Sequence, residues 1–474
     1  MGLVLLSGAS GREQTEAWAK DELRDAALGD KRRGARLVRL VAALSLRPAS
    51  SVPDACGSWG ATKGAYALWS NPAVSPEAIL APHAERTCER AAGEEVVLAI
   101  QDTTSLDFTS HPATKGLGPL ENEHLLGILM HSVLLATTEG VPLGLVHQEF
   151  WTRDPQSVGK RDQRRQKETR DKESRKWLTG LQVTMERVNG KRVVTVADAE
   201  GDLYDHLAWP RQEGTELLIR AAQDRCVSDE ARLLWAAMES VRPHGRWPVR
   251  VSRKEDLPGR TAIVSVRWRR VEIEPPVHRK DRRRLRVVPL NAVLVREEEP
   301  PEGVEPLEWL LLTSLKVETL EEARQCAEWY SHRWLIERYH YVLKSGCRVE
   351  DLQLETAERL ERAVATYDLV AWRLLWLTYQ ARRQPEAPCT LALEREEWET
   401  LYCVTHKTSQ PPRTPPSLRD AVRWIAQLGG FLGRKGDGEP GPKTLWRGYR
   451  RLTDVISGAR LANAGHASVY YPIE

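Results

Sequence analysis

The sequence predicts an α/β multidomain protein: a mixed sheet flanked by helices, with a β-rich insertion and all-helical regions at both ends. Three observations carry this. Two continuous apolar runs, 96–100 and 193–197, have the form of strands buried on both faces, as in a sheet covered by helices on either side. Residues 249–314 are rich in Val, Ile, Leu and Arg and are interrupted by Pro258, Pro275, Pro276, Pro300 and Pro301, the mark of successive strands. Before residue 75 and after residue 320 the apolar residues recur at helical spacing instead. A chain of 474 residues, at roughly 150 per domain, suits about three domains.

Composition sets the first exclusions. With 41% hydrophobic and 28% charged residues, the chain is neither mostly disordered nor fibrous. Lys and Arg total 69 against 66 Asp and Glu, a net +3, so a nucleic-acid partner must announce itself locally. The seven cysteines (Cys56, Cys88, Cys226, Cys326, Cys347, Cys389, Cys403) are scattered and never form C-x-x-C, which argues for a reducing cytosol and against structural zinc. No run reaches ~18 uncharged apolar residues, so the expectation is a cytoplasmic protein with no membrane partner.

Along the chain, residues 14–75 read as helices broken at Gly29-Asp30, 48–53 and Asn71-Pro72. In 30–46, Asp30 is the expected N-cap, Leu37, Leu40, Val41 and Leu44 form the apolar stripe, and Lys31, Arg32, Arg33, Arg36 and Arg39 occupy the rest. Such a face either contacts phosphates or is merely solvated. The first buried strand ends in Gln101 and Asp102, and strands at 131–137 and 142–151 flank the turn Glu139-Gly140, giving an antiparallel meander. Residues 160–176, with nine Lys or Arg against four Asp or Glu, read as a basic loop or solvated helix. A helix over 177–188 leads to the second buried strand, closed by Asp198, and then to a helical turn at 201–207 and a strand at 216–221. Strands at 261–274, 285–296 and 309–314 make up the β-rich block. A helix free of Pro and Gly spans 321–344, with Gly346 to end it. After a Pro-rich break, Ser417 caps a helix bearing Leu418, Val422 and Ile425 that stops at Gly429-Gly430. There is no internal repeat.

The ends of buried strands are rigid and open onto the crevice where α/β sheets bind ligands, so Asp102 and Asp198 are candidate metal or catalytic carboxylates. An Asp in that position is also an ordinary turn former or helix cap. In the 321–344 helix, Tyr330, Arg333, Glu337 and Lys344 fall at offsets of three, four and seven, near one face. Three acids and two cations suit phosphodiester chemistry, since carboxylate oxygens hold Mg²⁺ or Mn²⁺ while Arg and Lys neutralise the backbone. The same spacing describes a solvated amphipathic helix with routine ion pairs, and spacing alone does not choose.

The string Tyr330-Ser331-His332-Arg333-Trp334-Leu335-Ile336-Glu337, with Lys344 seven residues on, resembles the Y-R-E-K signature of bacterial DDE transposases of insertion-sequence family four. The likeness covers most of the chain. It takes in Ala26-Ala27-Leu28-Gly29-Asp30, Gly64-Ala65-Tyr66 with Asn71-Pro72, and Gln101-Asp102-Thr103-Thr104-Ser105. It also takes in His147-Gln148-Glu149, Asp198 with Glu200 and Asp202, 309–314 and Leu428-Gly429-Gly430-Phe431.

The resemblance implies an RNase H-like catalytic core in which Asp102, Asp198 and Glu337 hold two divalent ions, Mg²⁺ or its substitute Mn²⁺. It implies DNA contacts from Tyr330, Arg333, Lys344, Trp309 and Arg220, and from Lys31, Arg32, Arg33, Arg36 and Arg39. It implies a transposon-end-binding domain at 1–72, a catalytic domain at 73–371 with its insertion around 223–318, and a C-terminal domain at 372–474 that pairs two protomers. The implied reaction is cut-and-paste transposition of double-stranded DNA: nicking, hairpin formation and opening, then joining of the 3′-hydroxyl ends to target. Trp309 would stack on a flipped base, although it begins an apolar run and suits a core position equally. Two positions depart from the pattern, Tyr341 where a second Lys is found and Ala199 where an Arg is usual, and the basic segment 160–176 is longer. The alternatives are a domesticated DNA-binding protein that no longer cuts and an RNase H-like nuclease without strand transfer. The intact acids with Arg333 and Lys344 weigh against the first, and the terminal regions weigh against the second.

Overall fold

A computed structural model describes residues 11–155, 173–251, 259–393, 395–434 and 438–467. Its strands are β1 (Val96–Asp107), β2 (Gly118–Pro119), β3 (Leu126–Thr137), β4 (Pro142–Trp151), β5 (Arg192–Ala197), β6 (Thr215–Arg220), β7 (Gly245–Val251), β8 (Arg260–Ile273), β9 (Val288–Glu297) and β10 (Glu308–Thr313). All join one sheet in the order β2-β3-β1-β5-β6-β10-β9-β8-β7, with β4 paired to β3. β1, β5 and β6 are parallel, and β1, β3 and β4 form the expected antiparallel meander. The continuous apolar character of β1 follows from its two covered faces: Leu98 and Ile100 enter one core, Val97 and Ala99 another. Helices Pro76–Ala91, Trp334–Tyr341 and Ala357–Arg383 cover one side, and Arg175–Arg187 with Tyr204–Ala208 cover the other.

The β-rich block extends this sheet rather than folding apart. β10 pairs antiparallel with β6 on one side and β9 on the other, and its Leu310, Leu311 and Leu312 are all buried, so the strand is at home only inside a covered sheet.

Two expectations are corrected. β1 does not end at Asp102. Its parallel pairing with β5 stops at Gln101–Ala197, but its antiparallel pairing with β3 continues to Asp107–Gly127, because β3 still supplies ladder partners. Asp102 therefore sits where the sheet forks. Nor is 321–344 one helix: it divides into Leu320–Ser331, Trp334–Tyr341 and a π-helical turn Val342–Gly346. Ser331 Oγ donates to the Glu328 carbonyl at 2.6 Å, competing with the helix ladder, and His332 Nε2 lies 3.0 Å from the Thr138 carbonyl of the β3–β4 turn. That turn must be glycine at Gly140, where φ is +80° and a Cβ would stand 2.6 Å from the His332 ring.

In the N-terminal region, Asp30 caps Lys31–Leu46 by accepting from Arg32 N at 2.8 Å, and Leu37, Leu40, Val41 and Leu44 are buried. Helix Gly11–Glu22 is locked to the sheet by a buried cluster. Glu22 accepts from Arg90 at 2.9 and 3.0 Å and from His83 Nδ1 at 2.5 Å, while His83 Nε2 accepts from Leu145 N at 3.0 Å. Burial alone would raise the Glu22 pKa, but His83 and Arg90 outweigh it and hold the carboxyl at about 2. A depressed acid contributes stability above its unfolded pKa that is lost as pH falls toward its folded one. Glu22→Gln should therefore cost about 3 kcal/mol near neutrality, and its deficit against the parent should shrink between about pH 4.5 and pH 2. Paired denaturant melts across that range test this; a pH-independent deficit would dismiss the ionised cluster.

Toward the C-terminus, Ala357–Arg383 runs straight through the expected domain boundary at 371/372. Ser417 caps Leu418–Leu428, accepting from Asp420 N at 3.1 Å, and Leu418, Val422 and Ile425 pack with Arg395–His406 and the last helix, Pro442–Ala467. Among the described residues no helix is long and apolar enough to cross a membrane.

Candidate active site

Asp102 and Asp198 each follow the last residue, Gln101 and Ala197, of the parallel pairing between β1 and β5. Asp102 accepts from Thr103 N at 2.7 Å, and Asp198 accepts from Glu200 N at 2.9 Å, capping the 3₁₀ turn Ala199–Gly201. Local capping and a functional carboxylate are thus compatible, since the cap fixes one oxygen of each. Asp202 is different. Arg225 holds it from Nε at 2.7 Å and Nη2 at 2.6 Å, and Ala222 N donates to it at 2.8 Å, so it braces the loop.

Burial, then the negative charge of Asp198, raises the Asp102 pKa to about 7; Glu337 pushes the same way, against Thr103 N and Arg333. The charges of Asp198 and Glu337 are thus both felt at Asp102. Arg333 Nη1 lies 2.6 Å from Glu337 Oε1, with its guanidinium 5.0 Å from the Trp334 ring. Tyr330 meets Trp309 edge to face at 5.4 Å and interacts with Arg333 and Arg220. Tyr330 is 3% and Arg333 8% exposed, so both back the site rather than face solvent, whereas Arg220 is exposed.

Lys344 does not join that cluster. After the helix break and the π turn, its Nζ donates to the Ser105 carbonyl at 2.8 Å and pairs with Glu350 at 3.4 Å, beside the extension of β1. The departing Tyr341 is partly exposed. Sequence pattern does not single out Lys176, which pairs with Glu200 at 3.7 Å, lies 5.4 Å from the Trp151 ring, and feels the charge of Asp102. Its one signal in the sequence is the basic run 160–176, of which 160–172 lies outside the described residues.

Among the described residues, no three His, Cys, Asp or Glu side chains are placed to share a metal ion as they stand. Glu337 is turned to Arg333, and releasing it is what a shared ion would require. The donor chemistry fits a hard cation: carboxylate oxygens only, with Asp102 lifted to about 7 first by burial and then by the charges of Asp198 and Glu337. The basic helix also resolves into parts. Arg33 donates to the Leu28 carbonyl at 2.9 Å, and Arg36 lies against Gly64, where a Cβ would stand 3.3 Å from its Nε. Lys31, Arg32 and Arg39 are exposed.

Three family models match the chain: transposase DNA-binding over residues 15–74, transposase DDE domain over 167–373, and transposase Tn5 dimerisation domain over 369–468. The chain belongs to the Tn5-like DDE transposases. The transposase is accordingly a DNA-cleaving and strand-transferring enzyme that binds DNA and dimerises, and a DDE domain of this kind works with divalent metal. The sheet with flanking helices is its RNase H-like core. The matched DDE segment holds Asp198 and Glu337; Asp102 lies before it and feels the charge of both.

Proposed function

We propose that this transposase moves DNA by cut-and-paste, with Asp102, Asp198 and Glu337 as the catalytic acids and two Mg²⁺ ions, or Mn²⁺ in their place, as cofactors. What supports this reading above all is the match to a transposase DDE domain over residues 167–373, which spans Asp198 and Glu337, with Asp102 following Gln101 just as Asp198 follows its parallel partner Ala197. When bound, such ions stabilise the attacking and leaving oxygens of an in-line displacement at phosphorus. The chain's own groups do the rest. Arg333, buried against Glu337, supplies positive charge where phosphate charge develops and takes up the Glu337 carboxylate when no ion claims it. Tyr330 packs edge-on against Trp309, which would receive a displaced base, while exposed Arg220 and Lys344, beside the extension of β1, would contact the DNA backbone. The N-terminal basic helix binds the transposon end, and the C-terminal helices pair two protomers.

The test is a plasmid carrying the reading frame with its flanking host DNA, incubated with the full-length chain, Mg²⁺ and a separate target plasmid. Excision, hairpinned ends and joined target are expected in sequence. Nicks without joined product would favour a nuclease, and retarded DNA without nicks a binding protein without cutting activity. Binding should also report the basic helix: neutralising Lys31, Arg32 or Arg39 should reduce the slope of log affinity against log salt by about 0.9 for each phosphate no longer neutralised. Arg33 and Arg36, already engaged within the domain, should change the slope less. A slope unchanged for all five would leave this helix as a solvated face.

A further inference from the structure

The short helix that carries Glu337 is fastened immediately behind it. Tyr339 Oη donates to Asp368 Oδ1 at 2.5 Å, and Gln148 Nε2 donates to Asp368 Oδ2 at 2.5 Å. Ser132 Oγ donates to Gln148 Oε1 at 3.1 Å, and His340 Nε2 lies 3.3 Å from Ser132 Oγ. The path leaves the helix at Tyr339, crosses Asp368 on Ala357–Arg383, Gln148 on β4 and Ser132 on β3, and returns at His340, so it closes on itself. Proton counting is consistent around it. Burial keeps His340 neutral, and with the Ser132 proton spent on Gln148, the His340 Nε2–H donates to Ser132. None of the five side chains is more than 5% exposed. Ser132 is also the residue of β3 directly opposite Asp102 in the strand register.

We propose that Asp368 is a positioning residue, which through Tyr339 and Gln148 holds the Glu337 helix against the strands that carry Asp102 and so sets the spacing of the two carboxylates. The helix needs such an anchor. Trp334–Tyr341 has eight residues, has no side-chain cap, begins at a break and runs into a π turn, so its own hydrogen bonds hold it weakly. Burial pushes the Asp368 carboxyl well above the usual carboxylate range despite its bonds to Tyr339 and Gln148, a cost that goes with both oxygens being engaged by groups that reach the active-site helix and the sheet.

The inference rests on Glu337 being an active-site acid, and the experiment separates the two. In the full-length chain, Asp368→Ala should speed amide exchange in 334–341 about tenfold while leaving β5 protected, and should raise the Mg²⁺ needed for half-maximal nicking about tenfold. Asp368→Asn should stay close to the parent in both, because the Gln148 amide can turn over and keep every bond of the ring. Tyr339→Phe, which removes only a hydroxyl, should reproduce the alanine variant and replaces it if alanine fails to fold. Exchange unchanged in 334–341, or raised equally throughout, would overturn the anchor; a loosened helix with an unchanged Mg²⁺ requirement would overturn the positioning role. Glu337→Ala that still cuts would remove the underlying assignment without touching the exchange result.

Discussion

Asp102→Ala, Asp198→Ala and Glu337→Ala are each expected to abolish strand cleavage while leaving end binding nearly intact. Affinity for DNA comes mainly from cations that neutralise phosphates, and the acids contribute nothing to that sum. They gather negative charge at a place where only a cation, or Arg333 in its stead, relieves it. Losing one acid should therefore remove chemistry without removing recognition. The isosteric amides sharpen the expectation, since Asp102→Asn can still accept from Thr103 N and Asp198→Asn from Glu200 N, so the local turns survive while the charge is gone. Cleavage rates in Mg²⁺ beside a gel-shift titration decide it. Residual cutting within roughly tenfold of the parent, a loss of only about 1.4 kcal/mol, would strike that residue from the site. Loss of binding in both alanine and amide variants would point to a structural role.

The positions of Asp102 and Asp198 are legible in the sequence because burial on two faces leaves a mark in composition: β1 must feed Leu98 and Ile100 to one core and Val97 and Ala99 to another, so no polar residue interrupts the run until the sheet opens. The same logic locates β5, whereas a one-sided apolar stripe behind the Ser417 cap locates the helix that follows it. The continuation of β1 through Thr103, Thr104 and Ser105 is hidden, because those residues look like a loop and become strand only through ladder bonds to β3. The break between Ser331 and Trp334 is hidden for a similar reason. Nothing in that stretch forbids a helix; His332 reaches a carbonyl 194 residues away in sequence, and that tertiary bond decides the geometry. With the break goes the helical face on which Lys344 was expected beside Glu337. The joining of β10 to β6, between strands far apart in the chain, is likewise a pairing that no local pattern records. Asp368 leaves no mark of its own, because a lone acid within an apolar helix reads as noise until its partners are seen.

Trp309→Ala is expected to impair hairpin formation more than the first nick. Trp309 opens β10 at the boundary between core and site: Leu310, Leu311 and Leu312 after it are buried, while Trp309 itself is only partly covered and stands edge-on to Tyr330. It also packs against the hydrophobic core, so the packing and stacking roles are separated by their products rather than by position. A hairpin bends one strand back on the other within a few nucleotides, and extruding a base relieves the strain at the cost of its stacking. An aromatic platform replaces that stacking at about 1 to 3 kcal/mol, which corresponds to a hairpin step roughly fivefold to 150-fold slower in its absence. The first nick needs no extruded base and should change little, and Trp309→Phe, which keeps an aromatic face, should recover much of the hairpin rate. Nicked and hairpin products are to be quantified separately on a labelled end, beside a thermal melt of each variant. Equal loss of both products with a lowered melting temperature would make Trp309 a packing residue, because removing a core side chain weakens the site for every step alike, whereas a platform is felt only at the step that displaces a base.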